Sequence, residues 1–114
     1  MEKIREAIGA AIIQDGRILL VRKKETWILP GGKPEEGETD IQCLAREIGE
    51  ELPTVQLRNP RFYKQFEGRT PYTGDVIKVR VYFAGIEGEP SPSAEINAAR
   101  WFHSRCKIPQ SEIR

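Results

Sequence analysis

The sequence lacks the features that mark several broad classes of protein. It has two cysteines and one histidine among 114 residues, and its net charge at pH 7 is +1. Two cysteines do not make the disulfide framework of a small secreted domain. A general nucleic-acid-binding protein would carry a strong basic excess. No apolar run approaches the ~18 residues that a membrane-spanning helix needs, and the N-terminal residues lack the apolar segment of a secretory signal. We therefore expect a cytoplasmic protein that uses neither nucleic acid nor a membrane as a partner.

The length predicts a single domain spanning residues 1–114. Asp15 and Gly16 stand between two apolar runs, which is a strong signal for a β-hairpin. Asn59 and Pro60 interrupt a later extended stretch, so that stretch forms either two strands or one strand with an edge bulge. The strands are expected at residues 7–14, 17–23, 27–29, 55–67, 75–84 and 98–102.

One helix is predicted from about Asp40 to Leu52. Thr39 and Gln42 have the spacing of a capping box at its start, and Pro53 favours its end at the preceding residue. An apolar stripe at helical spacing is predicted to face the core, and it consists of Ile41, Leu44, Ala45, Ile48 and Leu52.

The same helix carries three neighbouring acidic residues, Glu47, Glu50 and Glu51. Like charges at these spacings destabilise a helix by roughly 0.2–0.5 kcal/mol per pair, and the C-terminal half of a helix disfavours anions. Arg46 is expected to relieve Glu50 at i+4, but it is one cation for three carboxylates. A hard cation such as Mg²⁺ would resolve the conflict, whereas the simpler alternative is a solvated acidic face.

The loop before the helix makes the pattern more specific. Residues 27–33 read WILPGGK, and the following positions match a known signature in register: Gly32, Glu38, Arg46, Glu47, Ile48, Glu50 and Glu51. In this respect the sequence resembles the Nudix hydrolase family, whose signature is G-x5-E-x7-R-E-U-x-E-E-x-G-U with U aliphatic. Two positions depart from it, with Pro53 in place of glycine and Thr54 in place of an aliphatic residue.

The resemblance implies an α+β fold, the Nudix-type α/β/α sandwich with a mixed β-sheet and the signature loop and helix. The family usually closes with a C-terminal helix. Residues 111–114 have the form of a helix start that is cut off, so we expect a truncated or shortened terminal helix.

The resemblance also implies a catalytic and metal-binding set. Glu47, Glu50 and Arg46 are the predicted catalytic residues, with Arg46 orienting a glutamate through an ion pair. An ordinary surface pair between Arg46 and Glu50 is the alternative. Mg²⁺, with Mn²⁺ as a substitute, is the implied cofactor, and its predicted ligands are the carbonyl of Gly31 and the carboxylates of Glu38, Glu47, Glu50, Glu51 and Glu95. For Glu95 a solvated loop acid is an equal alternative.

Four residues are predicted to contact the substrate: Arg22, Lys33, Tyr72 and Lys78. Arg22 belongs to the cationic run at residues 22–24, a rim for phosphates or else a solvated strand end. Tyr72 stands in a turn-rich loop and is the candidate for stacking on a base. Cys43, predicted on the acidic side of the helix, is expected to be an ordinary reduced thiol.

These features together predict an Mg²⁺-dependent hydrolase that cleaves the phosphoanhydride of a nucleoside diphosphate linked to another group. A nucleoside triphosphate is the preferred substrate, and a small-molecule nucleotide is in any case the expected partner. ADP-ribose and dinucleoside polyphosphates are the alternative substrates, and a non-catalytic nucleotide-binding module is the alternative function. The oligomeric state is left open between a monomer and a homodimer.

Overall fold

The computed structural model describes residues 3–69 and 73–103. Within these residues the elements are β1 (Ile4–Gln14), β2 (Arg17–Lys23), β3 (Thr26–Ile28), β4 (Gly31–Gly32), α1 (Asp40–Glu51), β5 (Gln56–Arg69), β6 (Val76–Glu87) and β7 (Ile96–His103). The one described helix is too short and too polar to cross a membrane.

The strands form one mixed sheet in the order β3-β2-β1-β6-β5, with β4 paired to β1 and β7 paired to β2. β1 and β6 run parallel, whereas the other pairs are antiparallel. α1 packs on one face of this sheet, so the α+β arrangement with a mixed sheet is confirmed. The terminal helix expected at residues 111–114 lies outside the described residues.

The hairpin between β1 and β2 has the predicted turn. Asp15 and Gly16 have φ angles of 53° and 73°, and Gln14 pairs with Arg17. Two consecutive positive φ angles define the type I′ turn, whose twist matches that of the flanking strands.

Several strands extend beyond the residues that the sequence pattern indicates. β1 begins at Ile4 instead of Ala7, because Ile4 pairs with Val76 in the parallel ladder with β6. β6 continues past Ala84, and β7 begins at Ile96. β5 is one strand whose register shifts at Asn59 and Pro60, so the bulge alternative is the correct one.

The buried face of α1 differs from the predicted stripe. Leu44, Ile48 and Leu52 are buried as expected, but Ile41 is 41% exposed and Ala45 is also exposed. Cys43 and Glu51 are buried in their place. The helix packs beside the two glycines of β4, which have no side chains to hold its acidic edge, formed by Glu47, Glu50 and Glu51, away from the sheet. The helix is therefore turned so that part of this edge is buried.

Candidate active site

The start of α1 is fixed both by its own cap and by the sheet. The Thr39 hydroxyl accepts from the Gln42 N–H at 3.1 Å, and the Gln42 side chain accepts from the Thr39 N–H at 3.0 Å. Asp40 accepts from Arg80 at 2.8 and 3.0 Å and from the Tyr82 hydroxyl at 2.7 Å. The bonds from Arg80 hold the pKa of Asp40 below its usual range. The predicted capping box is confirmed, and β6 sets the direction in which the helix leaves the loop.

Arg46 connects the loop to the helix. Its guanidinium donates to both oxygens of Glu38 at 2.8 and 3.0 Å, to Glu47 Oε1 at 2.7 Å and to the Lys33 carbonyl at 2.9 Å. The bonds that Arg46 donates to Glu38 lower the pKa of Glu38 to about 2. The alternative, a surface pair between Arg46 and Glu50, is wrong, because the guanidinium donors bind Glu38, the Lys33 carbonyl and the adjacent Glu47.

Glu51 is a buried carboxylate at the end of α1. It is 8% exposed, and its Oε1 accepts from the Gly31 N–H at 3.0 Å. Burial raises the pKa of Glu51 from 4.5 to about 7, although the bond from Gly31 opposes this rise. A group of this kind is costly in its charged form unless a cation is close.

Two glycines allow β4 to lie between β1 and α1. Gly31 has a φ of 147°, and a β-carbon there would overlap the Ile8 carbonyl. A β-carbon on Gly32 would overlap the Glu47 carboxylate, so only glycine leaves room for that side chain beside the loop. Cys43 lies under this junction with its sulfur 3.8 Å from the Gly32 carbonyl, and burial raises the pKa of its thiol to about 11. It has the properties of an ordinary reduced thiol.

A cavity of about 500 Å³ opens along the acidic edge of α1. Its charged border includes Lys23, Lys33, Glu47, Glu50, Glu51 and Glu95, and its apolar wall includes Ala7, Ile28, Leu29, Ile77 and Val79. Glu95 lies at this border in an ion pair with Lys23, which holds the pKa of Glu95 below its usual range. The lining therefore combines charged and apolar residues, and the charged ones also include Arg5 and Glu6 of β1.

The structure brings some of the predicted substrate residues to this cavity and leaves others elsewhere. Lys33 lines it, but neither Arg22 nor Lys78 does. Arg22 precedes Lys23 on β2 and has its side chain on the opposite face of the strand, because successive residues alternate. Lys78 lies 3.9 Å from Glu67 on the other face of β6 from Ile77 and Val79. Tyr72 lies outside the described residues.

Sequence reasoning did not single out Lys23. Leu19, Leu20 and Val21 are all buried, so β2 shows no alternation from which the orientation of the next residues could be assigned. The only available signal was the cationic run at residues 22–24.

The carboxylates border one cavity without converging. Within residues 3–69 and 73–103, no three Asp, Glu, His or Cys side chains are grouped closely enough to hold an ion. Glu47 is bonded to Arg46 and Glu51 to the Gly31 N–H, and mutual repulsion favours this separation. The donors on this cavity are nevertheless carboxylate oxygens, those of Glu47, Glu50, Glu51 and Glu95, which is the ligand type that Mg²⁺ and Mn²⁺ prefer. The residue set therefore fits a hard divalent ion.

Comparison with known proteins identifies the family. The sequence profile of the NUDIX domain matches residues 3–105. The chain belongs to the Nudix family. This confirms the prediction of a Nudix hydrolase, an enzyme that acts on acid anhydrides, and Nudix substrates are small-molecule nucleotide derivatives.

Individual relatives are similar to this Nudix chain over most of its length. The oxidized purine nucleoside triphosphate hydrolase of Danio rerio is 34% identical over 113 residues, covering 90% of this chain and 67% of that protein. The 8-oxo-dGTP diphosphatase of Haemophilus influenzae is 35% identical over 79 residues, covering 62% of this chain and 57% of that protein. The crystal structure of a MutT NUDIX hydrolase from Burkholderia pseudomallei superposes with a TM-score of 0.83 at 30% identity, covering 97% of this chain and 94% of that one.

Proposed function

We propose that this Nudix hydrolase is a Mg²⁺-dependent nucleoside triphosphate pyrophosphohydrolase. The reaction adds water across one phosphoanhydride and releases a nucleoside monophosphate and pyrophosphate. The observation that carries the proposal is that one cavity is lined both by Glu47, Glu50 and Glu51 of α1 and by the apolar Ile77 and Val79 of β6. Two relatives named as nucleoside triphosphate hydrolase and diphosphatase support this choice of substrate.

The size of the cavity suits a nucleotide. Ligand sites for small molecules commonly measure about 300–1,000 Å³ and combine apolar walls with a few polar groups, and this one measures about 500 Å³. The apolar wall would receive a flat face of the base, because the faces carry no hydrogen-bonding groups that must leave water. The charged border would receive the phosphates.

Glu47, Glu50 and Glu51 would hold the Mg²⁺ ions, with Glu95 and the Gly31 carbonyl as further ligands. Glu38 does not line the cavity and both of its oxygens accept from Arg46, so it would act on the ion through a water molecule. Bound Mg²⁺ neutralises phosphate charge and orients a water molecule. Mn²⁺ would serve in its place, because it accepts the same oxygen ligands.

The protein groups have separate tasks in this proposal. Arg46 keeps Glu47 in place through the 2.7 Å bond to Oε1, and Lys23 and Lys33 attract phosphate oxygens. Glu47 and Glu50 are the two candidates for the base that accepts the proton of the attacking water. Glu50 is exposed, so water reaches it without any rearrangement of the helix.

The experiment is to incubate the protein with Mg²⁺ in H₂¹⁸O and a nucleotide panel. The panel contains dGTP, 8-oxo-dGTP, ATP, ADP-ribose and diadenosine tetraphosphate. We expect fastest turnover of a triphosphate, with pyrophosphate as a product, and the labelled product identifies the attacked phosphorus. Faster cleavage of ADP-ribose or diadenosine tetraphosphate would overturn the substrate class, and no turnover of any compound would favour a binding module.

Glu50→Gln is the matched variant for this assay. It removes one charge from an exposed position, so the circular dichroism spectrum should remain that of the wild type. Turnover should fall by about 100-fold or more, the range found when a catalytic acid or base is removed. A wild-type rate at saturating Mg²⁺ would contradict the proposed role of the acidic edge.

A further inference from the structure

An ion pair at the border of the cavity joins two groups with different tasks in the proposed reaction, Lys23 for the phosphates and Glu95 for the divalent ion. Lys23 Nζ and Glu95 Oε2 are 2.8 Å apart, and both residues line the cavity together with Glu51. We propose that the ion pair with Lys23 keeps Glu95 from binding the divalent ion. When a phosphate of the nucleotide pairs with Lys23, Glu95 is released and joins the carboxylates that hold the ion. This inference rests on the proposed function. Lys23 is thereby a positioning residue that couples phosphate binding to metal binding.

A β-bulge brings the two residues together. Along the β2–β7 ladder Arg22 pairs with Ala98, but Lys23 pairs with Ile96, so Asn97 is the extra residue. The Asn97 side chain donates to the Lys24 carbonyl at 2.9 Å and fixes the bulge. Bulges re-aim side chains and are common beside active sites. Without this shift, Lys23 would not be paired with the residue that directly follows Glu95.

The backbone of Glu95 is tied to the catalytic end of α1. The Ser93 N–H donates to the Glu51 carbonyl at 2.9 Å, and the Ile96 N–H closes the turn by donating to the Ser93 carbonyl at 3.1 Å. Between them, Ala94 has a φ of 57°, a left-handed conformation that only a well-supported turn maintains for alanine. Because the backbone is held beside Glu51, only the Glu95 side chain has to change partner.

The Lys23–Glu95 ion pair is exposed enough for its members to exchange partners. The side chain of Glu95 is 72% exposed and that of Lys23 is 40% exposed. Ion pairs of this kind change an equilibrium by up to about fivefold, so a multiply charged triphosphate competes readily for Lys23. The coupling is reciprocal, so the ion must raise the affinity for the nucleotide by the same factor.

The test measures Mn²⁺ affinity by electron paramagnetic resonance, at low ionic strength and without nucleotide. The proteins compared are the wild type, Lys23→Met, Glu95→Gln and the double variant. Lys23→Met should bind Mn²⁺ about two- to fivefold more tightly than the wild type, because Glu95 is no longer held. In the Glu95→Gln background the same substitution should tighten binding clearly less, because only the charge effect of Lys23 on neighbours such as Glu51 is left. Lys24→Met is the control for charge, since it removes one exposed lysine and leaves the pair intact.

Each outcome decides the inference. Unchanged Mn²⁺ affinity in Lys23→Met, or equal tightening with and without Glu95, would overturn it. So would equal tightening in Lys24→Met, which would show a general charge effect. These results leave the hydrolase proposal intact if the wild type binds Mn²⁺ and cleaves triphosphates. A wild type that binds no Mn²⁺ and cleaves no nucleotide would overturn both. Circular dichroism checks folding, and Lys23→Gln repeats the test with a polar side chain.

Discussion

The buried carboxylate of Glu51 should destabilise the protein in the absence of a divalent ion, and Glu51→Gln should remove this cost. A glutamine has nearly the same shape, and its amide oxygen can still accept from the Gly31 N–H, which Glu51 Oε1 now does at 3.0 Å. The substitution therefore removes the charge and keeps the hydrogen bond. Its effect on the free energy of unfolding should depend on pH.

The size and sign follow from the pKa of Glu51. Burial raises it from 4.5 to about 7 in the folded protein, so between these values the folded state holds a proton that the unfolded state has released. Stability contributed by the protonated carboxyl is complete below the unfolded pKa and is lost as the pH rises through the folded pKa. One pKa unit corresponds to about 1.4 kcal/mol, so the whole loss is on the order of 3 kcal/mol.

The assay is thermal or urea unfolding in EDTA between pH 4.5 and 8. At pH 8 Glu51→Gln should be more stable than the wild type by on the order of 3 kcal/mol, which is a rise in Tm of roughly 10 °C or more for a domain of this size. At pH 4.5 the two proteins should be nearly equal. Excess Mg²⁺ should stabilise the wild type more than the variant, because binding to the folded state adds stability.

Glu50→Gln is the control, since Glu50 is exposed and its loss should change stability by no more than about 0.5 kcal/mol. A Glu51→Gln protein that is less stable than the wild type at pH 8 in EDTA would refute the reasoning. A stability difference that does not change with pH would refute it equally, because the charge would then not be its cause.

Three further substitutions or reactions test the packing around the site. Gly32→Ala should displace the Glu47 carboxylate that a β-carbon would overlap, and kcat should fall on the order of 100-fold because catalytic groups tolerate little misplacement. Gly49→Ala on the exposed side of α1, where nothing lies within 4 Å, should instead raise the free energy of unfolding by about 1 kcal/mol and leave kcat unchanged. In a Cys106→Ser background, Cys43 should react with a disulfide reagent at pH 7.5 far more slowly in the folded protein than in urea, because its thiol has a pKa of about 11.

Features that depend on neighbouring residues could be predicted from the sequence. The cap formed by Thr39 and Gln42 and the turn at Asp15 and Gly16 are local arrangements whose residue types are nearly sufficient to specify them. The motif that joins Gly32 to the glutamates could also be recognised, because the loop and the helix are contiguous in the sequence.

Features that depend on contacts between distant segments were predicted less well. Helical spacing offers Arg46 a partner in Glu50, but the loop brings a carboxylate oxygen of Glu38 to within 2.8 Å of the guanidinium. The buried face of α1 was misplaced at Ile41 because the sequence does not show that β4 lies beside the opposite edge. Arg22 could not be distinguished from Lys23 by pattern, since the orientation at the end of β2 depends on its packing in the sheet.

The central claim is that the acidic edge of α1 makes this protein a metal-dependent triphosphate pyrophosphohydrolase. The most direct measurement is the initial rate of pyrophosphate release from a nucleoside triphosphate as Mg²⁺ is titrated, for the wild type and Glu50→Gln. We predict a wild-type rate that rises from near zero to saturation with Mg²⁺, and a rate lower by about 100-fold or more in the variant. A rate that does not depend on Mg²⁺, or that is equal in the two proteins at saturation, would contradict the account.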